Sequence, residues 1–79
     1  MQNYDVKTLD KVKINQECTI RYVIYDNIIN IDRLLDLGFV EGAKVTPLFY
    51  SMFGDTCAFK VKGSVVGLRK TDSKHILVN

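Results

Sequence analysis

The 79-residue chain holds two cysteines, one histidine, one proline and no long apolar run, and each scarcity closes off a class of protein. Cys18 and Cys57 are too few for the dense disulfide framework of a small secreted scaffold. Neither has a second Cys or a His at zinc-knuckle spacing. They read as reduced thiols packing as small hydrophobes; a bridge between them requires Cα atoms within about 7 Å. No stretch approaches the roughly 20 apolar residues of a membrane-spanning helix. Residues 1–10 are polar and acidic, without the basic head and apolar stretch of a signal peptide, so neither membrane insertion nor secretion is expected.

The single histidine also argues against catalysis. A nucleophile needs a base within reach and a group that orients it. Only Cys18 or Cys57 with His75 offers such a pair, and Cys57 falls on the inward side of its strand. The segment Gly38-Phe39-Val40-Glu41-Gly42 lacks the Gly-Lys-Ser/Thr that completes a phosphate-binding loop. No enzymatic activity is expected.

Charge is modest and uneven. The net charge is +2, with a net of −1 up to Val40 and +3 from Glu41 onward. Lys60, Lys62, Arg69 and Lys70, with Tyr50 or Phe49 as a stacking ring, form the nearest approach to a nucleic-acid-binding strip. So small a charge is far from the usual footprint of such proteins, and lysines on outward strand faces commonly protect edges. A small nucleic-acid-binding barrel is the rival reading; no nucleic acid is expected.

What is present is a series of short strand patterns. Hydrophobic residues make up 47% of the chain, enough for a compact core, and nothing resembling a linker or repeat divides residues 1–79, which read as one domain. Thr8 can cap one helical turn over 9–12. The run 18–25 (CTIRYVIY) is rich in β-branched and aromatic residues. Alternation puts Cys18, Ile20, Tyr22 and Ile24 on one face; Val23 and Tyr25 break the polar face opposite, which a bulge or a second contact would accommodate. A helix follows over about 29–37, its stripe formed by Ile28, Ile31, Leu34 and Leu35, and Gly38 ends it in the left-handed region. Asp32 and Asp36 lie on the opposite, solvated side. Three strands then run as a meander, 44–51, 56–62 and 64–68, joined by turns at Met52-Phe53-Gly54-Asp55 and Gly63-Ser64. Pro47 confines its strand to an edge or a bulge. A last strand spans 75–78. The expected fold is mainly β: a small closed or half-closed barrel of about five to six short strands, with one short helix whose Leu34, Leu35 and Leu37 plug it.

The order RLLDLGFVEG, strand, SMFGD, strand–Gly–strand, VGLRK, HILV resembles the ferrous iron transport protein A (FeoA) family. The resemblance is carried by Arg33, Leu34, Leu37, Gly38, Gly42, Val45, Gly54, Asp55, Val61, Gly63, Leu68, Arg69, Ile76 and Val78. Glu41 stands where the family commonly has proline, Met52 and Thr56 replace prolines flanking the Gly-Asp tip, and Gly67 replaces an alanine. The resemblance implies an SH3-like barrel, related to the C-terminal domain of iron-dependent repressors. It also implies a cytoplasmic accessory protein of ferrous iron uptake that contacts FeoB, the membrane transporter with a cytosolic GTPase domain. Family-level descriptions include transition-metal binding. Here the candidate ligands for Fe²⁺ are only Asp72 and His75, fewer than an iron site uses, so no tight site is carried over.

The expected contact surface has two parts. The first is the hairpin tip, Met52, Phe53, Gly54 and Asp55, where two large apolar residues occupy a turn that would ordinarily be polar. The second is the helix and its following turn, with Phe39 exposed. Arg69 is expected as a contact or structural arginine.

Overall fold

The computed structural model describes residues 6–24 and 31–79. Six strands form one antiparallel sheet: β1 (Lys7–Thr8), β2 (Cys18–Val23), β3 (Lys44–Tyr50), β4 (Thr56–Val61), β5 (Ser64–Arg69) and β6 (Ile76–Val78). Their order is β1-β6-β2-β3-β4-β5, and among the described residues β1 and β5 do not pair, so the barrel is left open. The helices are α1 (Ile31–Asp36), α2 (Lys70–Ser73) and a 3-10 turn, Leu9–Lys11. The sequence expectation of one helix is therefore corrected to two. The polar run Lys-Thr-Asp-Ser forms α2, and Lys70 N–H at its start donates to the Asp55 carbonyl (2.9 Å).

Two bulges decide which side chains enter the core. In β2 the register against β6 shifts between Ile20 and Tyr22. The extra residue breaks the period-two alternation, so Ile20 and Val23 turn inward while Tyr22 and Ile24, expected beside Ile20, are exposed. In β3 the shift lies between Pro47 and Phe49. Pro47 thus sits in a central strand, not an edge. β2 pairs with β3 only at Cys18↔Val45 and Thr19↔Lys44, so no ladder bond from the β2 side is asked of its nitrogen. Its carbonyl accepts from Asn15 N–H at 2.7 Å.

Leu9, Ile20, Leu34, Phe39, Phe59 and Ile76 are the heart of the core. Phe39 meets Phe59 edge-on, centroids 6.2 Å apart at 89°, a favoured aromatic geometry. The helix and its end join this core through Leu34 and Leu37. Leu34 is fully buried, whereas Leu35 is 45% exposed and Leu37 is half-buried. The expected three-leucine plug is a two-leucine plug: Leu34 is buried and Leu37 packs against the core, while Leu35 falls on the solvent side. The start of the expected helix, at 29–30, Ile28 and Tyr25 lie outside the described residues.

The end of α1 explains Phe39. Gly38 N–H donates to the Leu35 carbonyl and Phe39 N–H to the Leu34 carbonyl, both at 3.0 Å, with Gly38 at φ +105°. This is a Schellman cap, in which the residue after the glycine packs on the side chain five positions earlier. Phe39 is accordingly carried onto Leu34 and is fully buried. Its expected place on a contact surface is corrected: it is a core residue.

Candidate functional site

The tip between β3 and β4 is built as a closed hydrogen-bonded loop. Ser51 N–H donates to the Thr56 carbonyl (2.8 Å), and Gly54 N–H donates to the Ser51 carbonyl (2.9 Å). Gly54 supplies the left-handed backbone at φ +77° that such a turn requires. The Ser51 hydroxyl donates to Asp55 Oδ1 (3.0 Å) and accepts from Thr56 N–H (3.3 Å). Every polar side chain of the loop is turned to holding it shut. Met52 and Phe53, left over, are 92% and 89% exposed. Phe53 does not fold back over the barrel end.

The structure brings Arg69 to the base of this tip. Arg69 lies opposite Thr56 in the β4–β5 ladder, and with Asp55, Lys70 and Thr71 it lines an open depression. Met52, Phe53, Gly54, Asp55 and Arg69 are thus gathered at one end of the molecule, and Phe39 is not among them.

Beneath the tip is a small cavity bordered by Asp10, Tyr50, Cys57, Phe59 and Ser73, of about 10 Å³, the room of a single water and no more. Asp10 Oδ1 is buried there without a hydrogen-bond partner among the described residues. Burial pushes the Cys57 thiol up, partly offset by hydrogen bonding to the backbone at Leu48 and Phe49. Burial likewise raises Tyr50, helped by its neighbours Cys57 and Asp10. Cys18 is raised by burial on the other side of the core. Both cysteines are free and buried. A thiol held protonated is a poor nucleophile, so these two residues serve packing.

Asp72 and His75 lie together around the end of α2. His75 N–H donates to the Asp72 carbonyl (3.0 Å), and His75 Nδ1 sits 2.8 Å from the Thr71 carbonyl. Among the described residues no group of three or more His, Cys, Asp or Glu side chains converges as a metal site. Asp72 and His75 supply two donors, fewer than the ligand set that Fe²⁺ or Zn²⁺ takes.

The sequence did not show how exposed the outer face of β3–β4–β5 is. The register sets Phe49, Ala58 and Gly67 in one row and Thr46, Lys60 and Val65 in another. Phe49 is 60% and Val65 63% exposed. The bulge after Pro47 turns Phe49, not Tyr50, onto this face. Among the described residues no helix is long and apolar enough to cross a membrane.

Comparison with known proteins agrees with this architecture. The family model of the FeoA domain matches residues 7–79. Against curated proteins no match is found. Among solved structures, the FeoA protein of Chlorobium tepidum is 26% identical, with a TM-score of 0.80 over 91% of this chain and 68% of its own. FeoA of Stenotrophomonas maltophilia, an SH3 domain protein solved with zinc, is 24% identical, with a TM-score of 0.78 over 91% of this chain and 88% of its own. A manganese-dependent transcriptional repressor solved with manganese shares the fold at 13% identity, with a TM-score of 0.86 over 98% of this chain and 37% of its own. The fold is thus SH3-like.

Proposed function

The chain belongs to the FeoA family, and from that premise we propose that it is a small cytoplasmic, non-enzymatic accessory protein of ferrous iron uptake that acts by contacting the cytosolic GTPase domain of an FeoB-type transporter. A relative from Clostridium thermocellum carries the name iron(II) transport protein A. For the Stenotrophomonas relative a role as a ferrous iron transport activating factor has been suggested.

The observation that carries the reading is the tip. Two large apolar side chains stand almost wholly in solvent on a loop whose own hydrogen bonds hold it closed. A preorganised apolar projection loses little conformational freedom on binding, and methionine adapts to varied partner surfaces. Arg69 at its base adds a planar fork suited to a carboxylate on the partner. Hydrolysis of nucleotide and passage of Fe²⁺ belong to the transporter; this chain contributes a surface.

The test is binding of purified chain to the transporter's cytosolic domain by calorimetry, with and without GTP and Fe²⁺. Phe53→Ala is expected to keep the fold and weaken binding by roughly tenfold or more, as truncation of a buried aromatic anchor does. Undiminished binding in a folded Phe53→Ala protein overturns the tip as the contact.

A further inference from the structure

We propose that the free edge of β5 is a docking site for an extended, acidic segment of a partner protein, which adds to the sheet as a seventh strand. Among the described residues nothing pairs beyond β5, and all six of its residues are laddered to β4 on the other side. The two strands are joined by Lys62-Gly63, with φ +50° and +79°, a two-residue turn of the kind that closes hairpins on a mutually hydrogen-bonded pair. That pair is Val61↔Ser64. Antiparallel ladders alternate, so Phe59↔Val66 and Cys57↔Leu68 also exchange bonds, while Val65, Gly67 and Arg69 do not bond to β4. The N–H and C=O groups of Val65 and Gly67 and the N–H of Arg69 point out of the sheet edge, while the Arg69 carbonyl is taken by the first turn of α2. Val65 and Arg69 carry exposed side chains beside those groups, and Gly67 between them carries none.

Gly67 is a second observation. Its backbone is not in the left-handed region, and an added Cβ would meet only Thr56 Cγ2, at an ordinary 3.6 Å. The chain's own fold does not require glycine here. A glycine inside a strand with no internal reason for it marks a place where another backbone comes close.

Charge selects the occupant. Lys60 on β4 opposite Val65, Arg69 at the end of β5 and Lys70 after it are all exposed, with Asp55 beside Arg69 and Lys70. An antiparallel second copy bonding through the same outward groups would set Arg69 against Val65 and Gly67 against Gly67, placing Arg69 of one copy in the cross-strand row of Lys60 of the other and leaving both cations without a counter-charge. An extended segment alternating acidic and apolar residues meets both the cations and Val65, and strand addition supplies the main-chain bonds.

This deepens the reading of the chain as a protein-contact module and rests on it. The assay contains no transporter, so its failure leaves the tip untouched, and failure of Phe53→Ala to weaken transporter binding leaves the edge untouched. The full chain is titrated with an octapeptide alternating glutamate and valine, and with lysine–valine and serine–valine counterparts, followed by NMR and amide exchange. The glutamate peptide is expected to bind best, to lose affinity as salt rises, and to protect the Val65, Gly67 and Arg69 amides. Val65→Pro removes one outward donor without touching the β4 ladder and is expected to cost about tenfold in affinity. Lys60→Glu/Arg69→Glu, its fold checked by the same spectra, is expected to reverse the preference to the lysine peptide. Four results overturn the proposal: no peptide binding at millimolar concentration; binding that leaves those three amides unprotected; protection of the same amides by self-association without peptide; or a single-stranded oligonucleotide that protects them in place of the peptide.

Discussion

Ser51 and Asp55 close the hairpin tip across four residues: the Ser51 hydroxyl donates to Asp55 Oδ1 at 3.0 Å and takes the Thr56 N–H as well. The family resemblance has prolines flanking this tip, where this chain has Met52 and Thr56. Ser51→Ala is expected to lower global stability by under about 1 kcal/mol, since the bonds are exposed to water. It is also expected to speed amide exchange at Gly54 and Thr56 and to weaken transporter binding. Unchanged exchange at both amides would show that the turn holds without the pair.

Neighbouring leucines in α1 give the sharpest contrast in stability. Leu34→Ala removes a fully buried side chain packed with Phe39 and is expected to cost roughly 2–5 kcal/mol. Leu35, 45% exposed, is expected to tolerate alanine within about 0.5 kcal/mol. Urea unfolding of the two variants checks this; equal losses would contradict the inward placement of Leu34 and the outward placement of Leu35.

Two glycines should respond to alanine with opposite sign. Gly38 is at φ +105°, and a Cβ there meets Lys62 Cδ at 3.3 Å, so Gly38→Ala is expected to destabilise by more than about 1 kcal/mol. Gly67 has neither constraint, and Gly67→Ala is expected to stabilise by roughly 0.4–1 kcal/mol by narrowing the unfolded ensemble. Thermal unfolding of both variants decides, and a destabilised Gly67→Ala would reveal a demand for glycine within the fold itself.

Stability should fall in alkali. Burial raises the thiols of Cys18 and Cys57 and the phenol of Tyr50 above their ordinary values. The folded chain therefore holds protons that the unfolded chain releases. The contribution is complete below the ordinary thiol value of about 8.5 and is lost as pH rises through the raised folded values. Urea midpoints at pH 7 and pH 10 should differ in that direction, and Cys57→Ala should shrink the difference. A midpoint that does not drop by pH 10 would refute the assignment.

Much of the fold was legible in the chain because its signals are local. Alternation in 56–61 requires no knowledge of neighbours, and β4 buries Cys57, Phe59 and Val61 as that pattern demands. The Met-Phe-Gly-Asp turn was legible as a tip, and Gly38 as a helix stop, since the left-handed backbone favours glycine wherever it occurs. The order of such local pieces sufficed for the family and for an SH3-like sheet.

What only the tertiary structure decided is which way side chains point once strands are paired. A bulge belongs to a pair of strands, not to one of them, so Tyr22 leaves the core and Val23 enters it only against β6. The Schellman bonds close on α1 itself, but burial of Phe39 depends on Phe59 waiting edge-on 6.2 Å away, a residue twenty positions along the chain. Arg69 reaches the tip, and Val65, Gly67 and Arg69 face outward, through the β4–β5 register. Residue types and spacing determined the elements; long-range pairing determined their faces, because a strand has two sides and only its neighbour selects between them.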